Sequence, residues 1–88
     1  MTAPAFHTVV EESYFSLQLR RIHADAERAD SFLEGVKWVL ARNPAYRCRV
    51  SENVWMLPRA DAAEGIPLNV YYTFNNHTVF LLAIEIAS

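Results

Sequence analysis

The chain predicts an α+β domain: a short N-terminal strand, two helices, then a small antiparallel sheet of three or four strands that ends in a hairpin. Three observations predict it. Apolar residues between Glu12 and Leu40 recur with a helical period, and beyond Pro44 the period becomes two. The stretch "LNVYYTFNNHTVFLLAIEI", Leu68 to Ile86, reads as two strands around a turn at Asn75–Asn76. A chain of 88 residues buries roughly 60–65% of the surface its unfolded form exposes, enough for one core. Residues 1–88 are therefore read as a single domain.

Taken in order, Ala5 to Glu11 forms a short strand around Val9 and Val10, although its alternation is weak. Phe15, Leu19 and Ile22 lie at i, i+4 and i+7, one face of a first helix, with Gln18, Arg20 and Arg21 off that stripe. The stripe breaks at Ala24–Asp25, and Asp25 is the expected N-cap of a second helix. Ala29, Phe32, Leu33, Val36, Val39 and Leu40 share one face of it, while Glu27, Arg28, Asp30, Glu34 and Lys37 face away. Asn43 before Pro44 ends this helix, because the residue preceding proline is driven out of the helical region and proline has no N–H to donate. Gly35 inside it costs about 1 kcal/mol relative to alanine, which suggests close packing of the helix at that point.

Period two then governs "YRCRVSENVWMLP", with Tyr46, Cys48 and Val50 on one side and Arg47, Arg49 and Ser51 on the other. A second short run, Val54 to Leu57, is stopped by Pro58. "RADAAEGIP" supplies a loop. The final hairpin follows, and asparagine at its turn tolerates the positive φ that two-residue turns require.

Composition narrows the function classes. Hydrophobic residues make up 52% of the chain and the net charge is −2, with a pI near 5.8. There is thus no global positive field to hold nucleic acid. One cysteine, Cys48, excludes an internal disulfide framework and fits a reducing compartment. The first residues lack a basic and then apolar leader pattern, and no apolar run reaches the roughly 18 residues that cross a bilayer. A soluble cytoplasmic protein with no membrane partner is the expectation.

The last strand carries the main functional clue. A half-exposed strand alternates apolar and polar residues, whereas "VFLLAIEI" is apolar on both sides. With the turn at Asn75–Asn76, one face of the hairpin holds Phe74, Tyr72, Val79, Val70, Leu81 and Leu68. The other holds Tyr71, Phe80, Leu82, Ile84 and Ile86. Two helices cover one face, and no residues remain to cover the second. Phe80, Leu82 and Ile84 are therefore the candidate interface residues for a protein partner, either another chain or a second copy.

Signals for chemistry are sparse. Two glycines leave no phosphate-cradling loop. His7, His23, His77 and Cys48 match no metal-ligand spacing, so neither metal nor cofactor is expected. His23 reads as a surface residue near a helix end, His77 as exposed at the hairpin tip, and Cys48 as a small core residue. Four arginines (Arg42, Arg47, Arg49 and Arg59) interleave with Tyr46 and Trp55, with Tyr71 and Tyr72 on the neighbouring strand. Such a cluster grips phosphates and bases, or the carboxylates of an acidic protein, or simply solvates a strand edge. Arg47, Arg49, Arg59 and Tyr71 are the candidate target or partner contacts; no catalytic residue is assigned.

Two stretches, "FLEGVKWVLARNPAYR" and "LNVYYTFNNHTVFLLAIE", resemble the second helix and the terminal hairpin of the RelE/ParE toxin superfamily. The resemblance spans most of the chain and rests on hydrophobic patterning with a few polar anchors. It implies a strand, two helices and an antiparallel sheet, in a toxin component of a plasmid-stabilising type II toxin–antitoxin system. An antitoxin wrapped over the toxin would cover the second sheet face. The ribosome-dependent mRNA endonucleases of the family are strongly basic, whereas this chain is not. The position of a family arginine in the penultimate strand holds Asn69, and Val54, Trp55 and Met56 stand where lysines are expected. Only Arg59 replaces a basic group there, and no basic tail follows "IEIAS". The resemblance thus implies a ParE-like or degenerate member that binds its partner without cleaving RNA. A non-toxic homodimeric module of the same fold is the alternative, and an active nuclease using Arg47, Arg49 and Arg59 with Tyr71 is a third.

Overall fold

The structure is a computed structural model and describes residues 6–46, 48–60 and 67–87, with Tyr46, Arg59 and Ala60 placed by their backbone alone. Arg47 and most of the loop expected at 59–67 lie outside the described residues. Two helices and five strands follow in the order β1 (Thr8–Glu11), α1 (Ser13–Ile22), α2 (Ala26–Arg42), β2 (Cys48–Ser51), β3 (Val54–Ala60), β4 (Leu68–Phe74) and β5 (Thr78–Ile86). The fold is α+β. A short 3-10 turn, Pro44–Tyr46, joins α2 to the sheet.

The helices form where the apolar stripes place them. Asp25 caps α2, its carboxylate accepting from the Glu27 N–H at 2.9 Å, which satisfies one of the donors a helix start leaves without a partner. At the other end the Asn43 N–H returns to the Val39 carbonyl at 3.1 Å before Pro44 ends the run. Phe15 and Leu19 of α1 and Phe32, Val36 and Leu40 of α2 are buried against Leu68, Val70 and Tyr72 of β4 and Val79, Leu81 and Ile84 of β5. Each such side chain contributes roughly 1.5–3 kcal/mol when fully buried. The buried Tyr72 hydroxyl donates to the Pro44 carbonyl, so the one polar atom of that ring ties the sheet to the end of α2.

The sheet is larger than three or four antiparallel strands. It has five in the order β1-β5-β4-β3-β2, and β1 runs parallel to β5, pairing Thr8 through Glu11 with Thr78 through Leu81. A weakly alternating segment becomes a strand here because a long neighbour offers its open edge. Past the end of β1 that edge is finished by a side chain, with the Ile84 N–H donating to Gln18 Oε1 of α1 at 2.7 Å.

The hairpin turn sits one residue later than the sequence suggests. Asn75 Oδ1 accepts from the N–H groups of His77 and Thr78, both at 2.8 Å, an Asx turn that centres the bend on Asn76–His77. Phe80 therefore opposes Thr73 rather than Tyr71, and Val79 opposes Phe74. A shift of two residues leaves every side chain on its own face, since the strand period is two. A second irregularity does not. Tyr72 opposes Leu81 while Tyr71 opposes Ala83, so Leu82 is an extra, bulged residue. Beyond it the faces exchange: Ile84, assigned by alternation to the outer face, is only 4% exposed on the helix side.

Four smaller expectations are corrected. His23, the C-cap of α1, is buried at 6% exposure, its ring 5.9 Å from that of Phe32. Cys48 is exposed on β2, an edge strand with neighbours on one side only. Gly35 packs against nothing, since a Cβ there would meet no atom within 4 Å. Pro58 does not stop β3, which continues to Ala60. It lies beyond the last described β2–β3 pair, Cys48–Met56, and inside a register irregularity between Leu57 and Ala60. There its missing N–H interrupts no described ladder pair.

Candidate functional site: the outer face of the sheet

Both helices lie on one face of the sheet, and no helix or strand among the described residues lies across the other. Ladder partners share a face, so the register fixes what that outer face presents. Val10, Phe80 and Thr73 form one row across β1, β5 and β4. Ala83, Tyr71, Met56 and Cys48 form a second across β5, β4, β3 and β2. Phe80, Tyr71 and Met56 are half-buried by their neighbours, while Val10 remains 40% exposed.

A polar corner completes the face. The Tyr71 hydroxyl donates to Glu85 Oε1 at 2.8 Å, and Asn69 Nδ2 donates to the same oxygen at 3.2 Å. Donation to Glu85 raises the Tyr71 phenol above its ordinary value, with burial and the carboxylate charge acting in the same direction. The hydrogen bonds from Tyr71 and then Asn69 hold Glu85 below the usual carboxylate value. Near neutral pH the corner is thus a phenol bonded to a carboxylate, with one net negative charge.

Of the residues singled out in the sequence, Phe80 and Tyr71 lie on this face and Leu82 sits half-buried at the bulge on its margin. Ile84 belongs to the core. Arg49 lies on the opposite face, since its ladder partner is Trp55, whose own partner is the core residue Tyr72. Its guanidinium lies 5.5 Å from the Trp55 ring and donates to the Ser51 and Glu52 carbonyls, so it secures the β2–β3 turn. Arg59 is placed by backbone alone in β3, and Arg47 is outside the described residues. Arg49 and Tyr71, two members of the phosphate-gripping set, are not brought together. Arg42 lies elsewhere, with its guanidinium 4.0 Å from the Trp38 ring and 4.5 Å from that of Phe6.

Asn69 and Glu85 escaped sequence reasoning for one reason. A turn at Asn75–Asn76 pairs Asn69 with Leu82 and the observed turn alone would pair it with Ile84; only the added bulge brings Glu85 opposite it, and nothing local announces that. Among the described residues no group of three His, Cys, Asp or Glu side chains gathers as a metal site. No helix among them is long and apolar enough to cross a membrane.

The fold and this site define a class: a small α+β domain whose mixed sheet is covered by helices on one side and presents an apolar face with one acidic corner on the other. No family model, curated protein or solved structure matches the chain.

Proposed function

We propose that the chain is a RelE/ParE-like toxin component, or a degenerate relative of one, that holds an antitoxin-type protein against the outer face of its sheet and does not cleave RNA. The observation that carries the reading is the placement of both helices on one face, so that among the described residues no helix or strand lies over Val10, Phe80, Tyr71 and Met56. The order of elements supports the family: a first strand, two helices, then antiparallel strands closing in an apolar hairpin. The net charge of −2 favours a protein partner over RNA, and so does the position of Arg49, the candidate contact arginine whose side chain is described, on the face opposite Tyr71.

The test is association. Phe80→Asp places a charge in the middle of the outer face without touching the helix side. The parent chain is expected to co-purify with the product of an adjacent operon gene, and Phe80→Asp is expected to abolish that while keeping a cooperative thermal transition. A variant that fails to fold would place Phe80 in the protein's own core and overturn the reading. Growth arrest on expressing the chain alone, relieved by the neighbouring gene, tests the toxin role itself.

One observation favours the alternative, a homodimeric module. β2 is an exposed edge strand along its whole length, with Val50 48% exposed. Its unpaired backbone groups can add a strand from a second copy. Light scattering across a dilution series separates the two readings: a stable dimer of the chain alone supports the module, whereas a monomer supports the hetero-complex.

A further inference from the structure

A second site lies at the end of the sheet where α2 stops. It is a shallow, widely open cleft of about 430 Å³ whose lining includes His7, Arg42, Asn43, Phe74, Asn75 and Asn76, a volume within the roughly 300–1,000 Å³ of small-molecule sites. Phe74 opposes the buried Val79 and so lies on the helix side of the sheet, which separates this cleft from the outer face. The wall is set by hydrogen bonds. The His7 N–H bonds the Ala41 carbonyl at 2.9 Å and the Thr8 N–H bonds that of His77, also at 2.9 Å. The His7 ring nitrogen Nε2 lies 2.8 Å from the Asn75 carbonyl oxygen. A carbonyl only accepts, so Nε2 carries the proton and Nδ1 is the acceptor in the neutral ring. The same ring meets Phe74 edge-on, centroids 6.1 Å apart.

The lining is one-sided in charge. Among the described residues no Asp or Glu lines the cleft, and no carboxylate pairs with Arg42. The Arg42 guanidinium gives one N–H to the Trp38 carbonyl at 2.9 Å, and the Trp38 and Phe6 rings pack on it at 4.0 and 4.5 Å. Only one of its N–H groups has an acceptor among the described residues, and a guanidinium with donors to spare takes paired anionic oxygens. The amides of Asn43, Asn75 and Asn76 add donors at the rim, since the Asn75 oxygen is already committed to its turn. Against this stands the carbonyl end of α2, whose partial negative charge opposes an anion. The hydrogen bond from Arg42 to Trp38 and the return of the Asn43 N–H to Val39 offset part of it.

We infer that this cleft binds a small planar anion: an aromatic or heteroaromatic ring, taken against Phe74, that carries a carboxylate or phosphate bound by Arg42 and the asparagine amides. Its source is either a mononucleotide or an aromatic acid.

The experiment is an NMR titration of the full chain with adenosine 5′-monophosphate, benzoate, adenosine and inorganic phosphate in turn. Saturable shifts of the His7, Phe74, Asn75 and Asn76 amides are expected with adenosine monophosphate or benzoate, and the tighter of the two identifies the source. Arg42→Gln is expected to weaken that binding about tenfold or more, since a charge-assisted hydrogen bond contributes on that scale. Asn76→Asp, at the exposed hairpin tip, weakens it as well by placing like charge at the rim. An unchanged amide spectrum outside the cleft shows that both variants remain folded. Adenosine or inorganic phosphate matching the charged ring, an affinity unchanged in Arg42→Gln, or no saturable shift with any probe overturns the inference.

Discussion

Ile84→Ala is the sharpest probe of how the last strand is divided between core and surface. Alternation from the hairpin turn assigns Ile84 to the outer face; the bulge at Leu82 returns it to the core, 4% exposed and paired with Val70. The substitution removes three carbons from a site enclosed by the sheet and α1. Their lost transfer energy is roughly 2.4 kcal/mol at about 0.8 kcal/mol per carbon, and the cavity they leave brings the total to about 2–5 kcal/mol. A domain of this length has a stability of about 4–13 kcal/mol, so the loss is a large fraction of the whole. The melting temperature should fall by roughly 8–16 °C even at the low end of that range, using about 4–8 °C per kcal/mol for a small domain. Leu82→Ala is the control, because a half-buried bulge residue gives up less apolar area. Urea denaturation followed by tryptophan fluorescence reads both. A midpoint for Ile84→Ala equal to that of the parent, or a smaller loss than for Leu82→Ala, would refute the bulge and restore Ile84 to the partner face.

Three further substitutions test single features. Gly35→Ala should stabilise the protein by about 0.8–1 kcal/mol and raise the melting temperature by roughly 4–8 °C, since the added Cβ meets nothing within 4 Å; a lower melting temperature would show that the site is packed after all. Asp25→Ala should cost about 1 kcal/mol by leaving the Glu27 N–H without its acceptor, read by thermal unfolding, and Asp25→Asn should recover most of the loss. Glu85→Gln should lower the Tyr71 titration toward the ordinary phenol value of 10.0, followed by the ring resonances of Tyr71; an unmoved titration would mean the two side chains are not bonded in solution. The sign of the linked stability follows from the two shifts. The raised phenol favours the folded state below its unfolded value and loses that effect as pH rises through the folded one. The lowered Glu85 carboxyl favours the folded state above its unfolded value of 4.5 and loses that effect as pH falls through the folded one. Both groups are solvent-accessible, so these contributions are small.

What the sequence discloses is local, and what it withholds depends on partners distant in the chain. Asp25, the stripe from Ala29 to Leu40 and the Asn43–Pro44 stop specify α2 within a residue, because caps and a helical period act over a few positions. The α1 stripe at Phe15, Leu19 and Ile22 is equally plain. β1 is faint because its stability comes from parallel pairing with β5, some seventy residues away. The Asx turn moves the bend by one residue, and two asparagines in succession leave that choice to tertiary context. The bulge at Leu82 has no local marker at all; an apolar run reads the same in either register. It is nonetheless the feature that places Ile84 inside and brings Glu85 to Asn69 and Tyr71. Phe80 and Tyr71 of the candidate site were therefore legible, and the two side chains that make its corner acidic and polar, Glu85 and Asn69, were not.

That corner bears on the choice between a protein and an RNA partner. A phosphate brought to Tyr71 meets the Glu85 carboxylate already bonded to the same hydroxyl, so it must displace that acceptor and approach a like charge. Arg49 is on the other face and occupied with the Ser51 and Glu52 carbonyls. An apolar partner segment faces no such penalty over Phe80, Met56 and Ala83, and a basic side chain at its margin would find in Glu85 an acceptor held in its ionised form. The partner chemistry this favours is a segment with an apolar stripe and a flanking lysine or arginine, received on a face whose acidic corner is the opposite of what a nuclease would present to RNA. If the operon neighbour is the partner, charge reversal at Glu85 to lysine should weaken the complex more at low salt than at high salt, whereas Phe80→Asp should weaken it at both. Equal sensitivity of the two variants to salt would show that Glu85 lies outside the interface.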